Sequence, residues 1–377
     1  MKKGTALLAS LALAALVAGN ALAAEPIKIG VPGAHSGDLA SYGLPSLNAA
    51  KIVAAEYNAK GGIMGRQIEI VAMDDQCKPE LASNVATKLL SDKVVAVMGH
   101  ICSGATKASL PIYNEAKIVS VSPSATTPGL TKSGENPYFF RTIANDDDQA
   151  TLTANFALNS LKVKRVAYIH DNGEYGKGFV ENNRLQLEKA GVKTVFSEAI
   201  NPDAVDFSAV VRKLRREKPD AVFFGGYQPT ASKLVQQMKR DRVKDIAVIG
   251  PDGLKDEAFI KMAGADAEGV YTSYPSDTSN LPAYTKAVEA HVKTFGTQPG
   301  SFFPNAFAAT QALLNAIDKA QSTDSAKIAA ALRKEVVETP VGSISFGAKG
   351  DAAGVGLSIY QIRNGKYVET DYKMTLK

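Results

Sequence analysis

Short apolar segments and longer amphipathic segments alternate along most of the chain. The first apolar segment, residues 27–32, ends in turn residues, as a buried strand does. In residues 44–62, Ala49, Val53 and Tyr57 recur every four positions and a Gly-Gly pair closes the segment. This spacing predicts a helix with one apolar face and a left-handed stop.

The alternation runs through two successive sets of segments. Strands are predicted at 27–32, 67–75, 94–100 and 117–124, and then at 165–171, 192–198, 221–227, 245–253 and 269–275. Further helices are predicted at 283–296 and 305–320, and a hairpin at 342–354 leads into 357–368. Alternating strands and helices predict the α/β class, here as two doubly wound parallel-sheet lobes. No linker-like segment separates the two sets, so we expect the chain to cross between the lobes.

Polar residues collect in the loops that follow the predicted strands, where open parallel sheets bind ligands. Ser103 and the loop around Thr126 stand where a helix or turn begins, and free backbone N–H groups there favour an anion. Ser103 is equally suited to serve only as a helix N-cap. Asp252 can meet a cation across a cleft, or it can simply form an Asp-Gly turn.

Three tyrosines, Tyr42, Tyr175 and Tyr227, also lie on these loops. Aromatic rings at such positions are suited to closing over an apolar group, although any one of them can be an ordinary half-buried tyrosine. The sequence therefore predicts hydroxyls and amides on one side of a cleft and an acid with aromatic rings on the other.

The N-terminus predicts export. Lys2 and Lys3 precede an apolar run, 6–18, and an Ala-x-Ala ending places signal-peptide cleavage after Ala23. The run is shorter than the roughly 20 residues that span a bilayer, which disfavours the alternative of a membrane anchor. Removing the two lysines lowers the formal net charge from +5 to +3. This positive charge is too small to indicate that the protein binds nucleic acid.

The sequence contains no motif that predicts a metal site, a nucleotide site or a catalytic site. The four histidines show no paired ligand spacing, and no Walker loop or G-x-G-x-x-G follows the first strand. Ser103 lacks the glycine that a nucleophile elbow requires. Cys77 and Cys102 favour pairing in an oxidising compartment, and an exported enzyme that uses Cys102 as a free thiol stays the alternative. We predict no catalytic residue, no metal and no cofactor.

The loops resemble those of periplasmic binding proteins of branched-chain amino-acid ABC transporters, the leucine/isoleucine/valine type within the type I family. The resemblance spans the chain and rests on segments at 33–43 (GAHSGDLASYG), 58–66 (NAKGGIMGR), 74–82 (DDQCKPELA), 99–106 (GHICSGAT), 122–131 (SPSATTPGLT), 170–178 (HDNGEYGKG), 223–229 (FFGGYQP) and 250–253 (GPDG). It implies two lobes joined by a three-stranded hinge. The implied division is a signal peptide at 1–23, lobe I at 24–144 plus 276–352, and lobe II at 145–275 plus 353–377.

The resemblance also implies roles for residues at matching positions. Ser103 and Thr126 would hold a ligand carboxylate, while the Ser124 carbonyl, Asp252 and Thr126 would hold its ammonium. The side-chain pocket would consist of Tyr42, Ile101, Cys102, Ala125, Tyr175, Tyr227 and Phe302. Cys77 and Cys102 match the disulfide of the family. His100, beside this clamp, is predicted to be structural.

The implied function is an exported monomer that binds a small aliphatic L-amino acid and delivers it to an inner-membrane ABC permease with its ATPase subunits. Asp252 departs from the glutamate usual in leucine-type members and is one methylene shorter. That difference favours a slightly different ligand, such as alanine, proline or γ-aminobutyrate. A separate alternative is the same fold tuned to an amide, urea or an aromatic acid, and the pairing of Ser103 and Thr126 with Asp252 argues against it. Neither nucleic-acid binding nor direct membrane insertion is expected.

Overall fold

A computed structural model describes residues 24–376 of the chain, so the predicted signal peptide lies outside the described residues. A five-stranded sheet of parallel strands organises one unit, in the order β2-β1-β3-β4-β5. Its strands are β1 (Ile27–Gly33), β2 (Ile68–Asp74), β3 (Ala96–Met98), β4 (Val119–Ser122) and β5 (Phe139–Arg141). Its helices are α1 (Ala40–Asn58), α2 (Pro79–Ser91), α3 (Ser103–Glu115), α4 (Gly129–Lys132), α10 (Pro282–Phe295), α11 (Phe303–Ala320) and α12 (Ser325–Lys334). We call this unit lobe I.

A seven-stranded sheet organises lobe II, in the order β15-β14-β10-β9-β8-β6-β7. Its strands are β6 (Arg165–His170), β7 (Lys193–Ala199), β8 (Ala221–Gly225), β9 (Ala247–Gly250), β10 (Tyr271–Pro275), β14 (Gly356–Arg363) and β15 (Lys366–Thr375). Its helices are α5 (Asp146–Asn159), α6 (Glu174–Lys189), α7 (Ser208–Glu217), α8 (Gln228–Arg240) and α9 (Glu257–Ala263). The predicted parallel core is confirmed, and the C-terminal hairpin adds two antiparallel strands at one edge.

The chain passes between the two large sheets three times, after β5, after β10 and before β14. Beside these crossings, Thr142 and Asn305 exchange two hydrogen bonds of 2.9 Å. The Ser276 N–H donates to the Gly356 carbonyl at 3.1 Å. A small antiparallel sheet of β11 (Val337–Thr339), β12 (Gly342–Phe346) and β13 (Ala352–Ala353) precedes the last crossing. The two-lobed fold is confirmed, while the numbered lobe boundaries stay a prediction.

Helix α1 begins four residues before the predicted segment and includes Pro45 in its interior. The prediction rested on the apolar spacing that begins after Pro45, and it did not include this additional turn. The additional turn carries Tyr42, whose ring is buried among apolar side chains from both lobes. Gly61 and Gly62 follow the helix with φ angles of 97° and 79°, the left-handed stop that was predicted.

The core of lobe I joins its sheet to α1 and α11. Most of α11 is buried, including Phe303, Phe307 and Leu313. Burying each side chain of this size stabilises the fold by roughly 1.5–3 kcal/mol relative to exposure. The resulting rigid layer supports the strand ends at which the polar loops lie. No helix within residues 24–376 is both long and apolar enough to cross a membrane.

Candidate functional site

The carboxyl ends of the strands in the two lobes face each other, and the predicted polar loops meet there. Helix α3 begins at Ser103 after β3, and α6 begins at Glu174 after β6. Of the predicted site residues, Ser103, Thr126 and Asp252 are at most 2 % exposed. Polar groups this deeply buried require partners, so their hydrogen bonds define what the site can do.

A neutral clamp forms in lobe I where Ser103 meets the loop after β4. The Ser103 Oγ accepts the N–H groups of Thr126 at 3.1 Å and Thr127 at 3.3 Å. Ser124 Oγ donates to the Ile101 carbonyl at 2.8 Å, which joins the same two loops. The Thr126 hydroxyl is buried without a partner among the described residues. The clamp therefore presents hydroxyl groups at the N-terminus of α3, where the helix dipole favours an anion.

Two interactions hold this clamp in place from behind. Cys77 and Cys102 form a disulfide with Cα atoms 5.4 Å apart, so the predicted pairing is confirmed and neither cysteine carries a free thiol. His100 is buried with Nδ1 2.6 Å from the Asp75 carboxylate and Nε2 2.9 Å from the Tyr113 hydroxyl. Both ring nitrogens are occupied, in agreement with a structural role for His100.

Lobe II contributes an acid directly after β9. The Tyr175 hydroxyl donates to Asp252 Oδ1 and accepts the Gly253 N–H at 2.8 Å. A Cβ on residue 253 would lie 3.0 Å from that hydroxyl, so glycine allows the close approach. Asp252 Oδ2 is buried without a partner among the described residues. Burial raises the pKa of the Asp252 carboxyl to about 6, although the hydrogen bond from Tyr175 opposes the increase.

A second acid, Asp146, lies beside the first and was missed by the sequence analysis. Its N–H donates to the Thr126 carbonyl at 2.9 Å, and its Oδ1 accepts from the Gln149 carboxamide at 3.1 Å. Its Oδ2 is buried without a partner among the described residues. Burial, and then the charge of Asp252, raise the pKa of the Asp146 carboxyl well above its usual range.

The available signal for Asp146 was the run of three aspartates after Asn145, which caps α5 through the N–H groups of Asp147 and Asp148. Acids are common in a first helical turn because the dipole favours them there. Position alone cannot tell which of three adjacent acids faces inward, and only the packing of α5 against the cleft selects Asp146.

Aromatic rings form a continuous row across the cleft. Ring centroids are separated by 5.0 Å between Tyr175 and Tyr227, 5.7 Å between Tyr227 and Tyr42, and 5.1 Å between Tyr42 and Phe302. Tyr274 extends the row with a centroid 4.9 Å from that of Phe302, although the sequence analysis assigned it only to a strand. Alternation along a strand does not distinguish a side chain that faces a ligand from one that faces the core.

Most of the predicted pocket residues lie together. Ile101 and Cys102 belong to the same buried apolar cluster as Tyr42 and Phe302, and Tyr227 packs against that cluster. Ala125 lies in a separate cluster with Leu110, Leu130 and Phe139, so the structure does not bring it to the aromatic row.

Contacts between the lobes enclose the site. Lys107 on α3 pairs with Glu174 on α6 at 3.0 Å, and the Ser301 hydroxyl of lobe I donates to the Lys255 carbonyl of lobe II at 2.6 Å. The lobes are therefore closed over the clamp, the two acids and the aromatic row.

A second cavity in lobe II has fewer groups suited to binding a ligand than the cleft has. A cavity of about 150 Å³ lies next to α8, near the amino-terminal ends of β9 and β10, and is lined in part by Val235, Met238 and Val270. It is open to solvent and contains no buried unpartnered polar atom. Within residues 24–376, no group of three or more His, Cys, Asp or Glu side chains is placed to hold a metal ion.

Comparison with known proteins gives consistent results. Residues 26–366 match the family described as "periplasmic binding protein". A Leu/Ile/Val-binding protein of Citrobacter freundii is 36% identical over 95% of this chain and 96% of its own. A leucine-, isoleucine-, valine-, threonine- and alanine-binding protein of Pseudomonas aeruginosa is 34% identical over 96% and 97%. The structure of the Streptococcus pneumoniae substrate binding protein LivJ with isoleucine superposes with a TM-score of 0.82, at 29% identity over 92% of this chain and 100% of that one.

Proposed function

The chain belongs to the periplasmic binding protein family, and from that premise we propose that it is the exported receptor of an ABC importer for a small aliphatic L-amino acid. Leucine, isoleucine and valine are the foremost ligands. The observation that carries the proposal is one enclosed cleft with a neutral clamp on lobe I, an unpartnered carboxylate oxygen of Asp252 on lobe II and a row of aromatic rings beside them.

The two ends of an amino acid suit the two sides of this cleft. The Ser103 and Thr126 hydroxyls and the N-terminus of α3 would receive the α-carboxylate, since the helix dipole favours a negative charge there. Asp252 Oδ2, the Thr126 hydroxyl and the Ser124 carbonyl would accept hydrogens from the α-ammonium. Asp146 Oδ2 is a further acceptor that the sequence analysis lacked.

The ligand side chain would lie against the aromatic row and Ile101, which offer apolar surface and no unpaired charge. Asp252 is one methylene shorter than the glutamate of leucine-type members, and its Oδ1 accepts a hydrogen bond from Tyr175. An alternative is that the cleft prefers a smaller or different ligand, such as alanine, proline, γ-aminobutyrate, an amide, urea or an aromatic acid. The acid and the clamp together favour a ligand with both an ammonium and a carboxylate.

The mechanism is a shift between open and closed lobes. A ligand that contacts the clamp of lobe I and the acid of lobe II makes both sets of contacts only when the lobes are closed, so it favours that form. The closed, loaded protein would then dock on a membrane permease and its ATPase subunits. Export by the signal peptide at 1–23, location in the periplasm and a monomeric state belong to the same proposal. The protein would carry no catalytic residue and no cofactor.

Calorimetric titration of refolded, ligand-free protein tests the proposal. Leucine, isoleucine, valine, alanine, proline, γ-aminobutyrate and benzoate would be titrated separately. We expect saturable binding of one or more of the branched-chain amino acids. Leucinamide and N-acetyl-leucine are matched controls that remove one charged end each, and both should bind far more weakly. Tighter binding of benzoate, or equal binding of N-acetyl-leucine and leucine, would show that the amino-acid assignment is wrong.

A further inference from the structure

The Tyr175 hydroxyl makes two hydrogen bonds within the protein. It donates its single hydrogen to Asp252 Oδ1 and accepts the Gly253 N–H at 2.8 Å. A hydroxyl has a single hydrogen, so Tyr175 cannot donate to a ligand carboxylate, and its oxygen already accepts one N–H group. Only its ring, with its centroid 5.0 Å from that of Tyr227, faces the aromatic row.

Both ends of the Gln149 carboxamide are also hydrogen-bonded within the protein. Its Nε2 donates to Asp146 Oδ1 at 3.1 Å. Its Oε1 accepts from the Ser273 hydroxyl at 2.7 Å and from the Asp252 N–H at 3.3 Å. Gln149 is completely buried, so it ties α5, β10 and the loop after β9 together at the base of the site.

Each acid consequently has one oxygen held by the protein and one that is free. Asp252 Oδ1 is held by Tyr175 and Asp146 Oδ1 by Gln149, whereas both Oδ2 atoms are buried without partners among the described residues. A carboxylate anchored at one oxygen cannot rotate freely, so its second oxygen keeps one direction.

We propose that Tyr175 and Gln149 are positioning residues that orient Asp252 and Asp146, so that the Tyr175 hydroxyl promotes binding of the ligand ammonium through the Asp252 carboxylate. The inference rests on the proposed function, and it assigns Tyr175 a role beyond lining the side-chain pocket. Ammonium recognition then depends on a hydroxyl group of lobe II that belongs to a different element from the acid it serves.

The hydrogen bond between Tyr175 and Asp252 should affect how ligand affinity depends on pH. Asp252 must be ionised to accept a hydrogen from the ammonium, and burial disfavours that form while the Tyr175 hydrogen bond favours it. Without the hydroxyl, the pKa of Asp252 rises and the carboxyl is neutral over a wider range of pH. Affinity should therefore be lost at a higher pH as the solution is acidified. The titratable groups that face Asp252 from the surrounding elements are Asp146, Tyr42, Tyr175, Tyr227 and Tyr274.

The experiment is a titration of leucine affinity against pH for the wild-type protein, Tyr175→Phe and Tyr168→Phe. Tyr168 is a matched control, because its hydroxyl is buried in lobe II without a partner among the described residues. We expect Tyr175→Phe to weaken binding about 10- to 100-fold near neutral pH, the effect of losing a hydrogen bond to a charged group. Its acidic midpoint should move up by about one pH unit. Tyr168→Phe should keep the wild-type midpoint.

Asp252→Asn removes the titration of Asp252, so in that variant the acidic midpoint, which Asp146 can still set, should no longer respond to Tyr175→Phe. The inference is overturned if Tyr175→Phe keeps the wild-type midpoint, even with reduced affinity, since the ring alone would then matter. It is also overturned if Tyr175→Phe moves the midpoint equally with Asp252 and with Asn at position 252. Failure of the wild-type protein to bind leucine or any other amino acid would instead contradict the proposed function.

Discussion

The two sides of the cleft differ in the charge of the buried polar group that each leaves without a partner among the described residues. On lobe I, Ser103 binds two backbone N–H groups, and a disulfide and the buried His100 hold the loop from behind. On lobe II, Asp252 keeps one buried oxygen without a partner among the described residues. The buried Thr126 hydroxyl on lobe I also lacks a partner among the described residues, but it is neutral, whereas the acidic side bears the larger desolvation cost of a charge, which a ligand cation can offset.

This difference indicates that the site is rigid on lobe I and that selectivity for the ligand depends mainly on lobe II. The clamp of lobe I is prebuilt, so a ligand carboxylate would meet groups that are already oriented. The acid of lobe II makes closure favourable only with a cation, because closing over an unpaired carboxylate is costly. We therefore expect substitutions on lobe II to affect affinity most, and those behind the clamp to affect stability more than affinity.

The largest effect on binding is expected from Asp252→Ala. Removing the acid leaves the buried ammonium without its charged acceptor, which costs on the order of a few kcal/mol, or about 100-fold or more in affinity. Calorimetry with leucine measures the loss. Asp203→Ala, an exposed acid of lobe II, should bind as the wild-type protein does. Equal affinity of Asp252→Ala and the wild-type protein would contradict our site assignment.

A smaller effect on binding, but a clear one on stability, is expected from Cys77→Ser with Cys102→Ser. The disulfide closes a loop with a sequence separation of 25, and its loss should lower the free energy of unfolding by about 3–4 kcal/mol. Chemical denaturation measures this change, and the reduced wild-type protein is the control. Leucine affinity should fall less than in Asp252→Ala, because Ser103 keeps its partners on lobe I. A larger loss of affinity than in Asp252→Ala would reverse the contrast between the two sides.

The smallest effect is expected at the rim, where Lys107 and Glu174 join the lobes. Their side chains are 61% and 35% exposed, so the pair is screened by water and salt. Lys107→Glu should weaken leucine binding no more than about fivefold at low salt, and the effect should vanish near 1 M salt. Adding Glu174→Lys should restore affinity, while Lys189→Glu at the far end of α6 should change nothing. A salt-independent loss, or no rescue by the exchange, would exclude a role of the pair in closure.

Local patterns were sufficient for much of the molecule. The alternation predicted both lobes, and residues 58–62 predicted the end of α1, because strand and helix periodicities are local properties. The pairing of Cys77 with Cys102 was also predicted, through the resemblance to a known family. The added turn of α1 was missed because the apolar spacing begins after it, while the burial of Tyr42 in that turn depends on contacts with distant segments.

Some residues of the site could be predicted from local sequence, and others depend on contacts between distant segments. Ser103, Thr126, Asp252 and the three tyrosines were nominated because each lies in a loop after a strand or at a helix start, and the sequence by itself determines those positions. Tertiary structure alone selected Asp146 from three adjacent aspartates and directed Ala125 into a different cluster from the aromatic row. It also paired Tyr175 with Asp252, 77 positions along the chain. The reason is physical: burial and hydrogen-bond partners depend on which distant segments pack together, and a local pattern does not encode them.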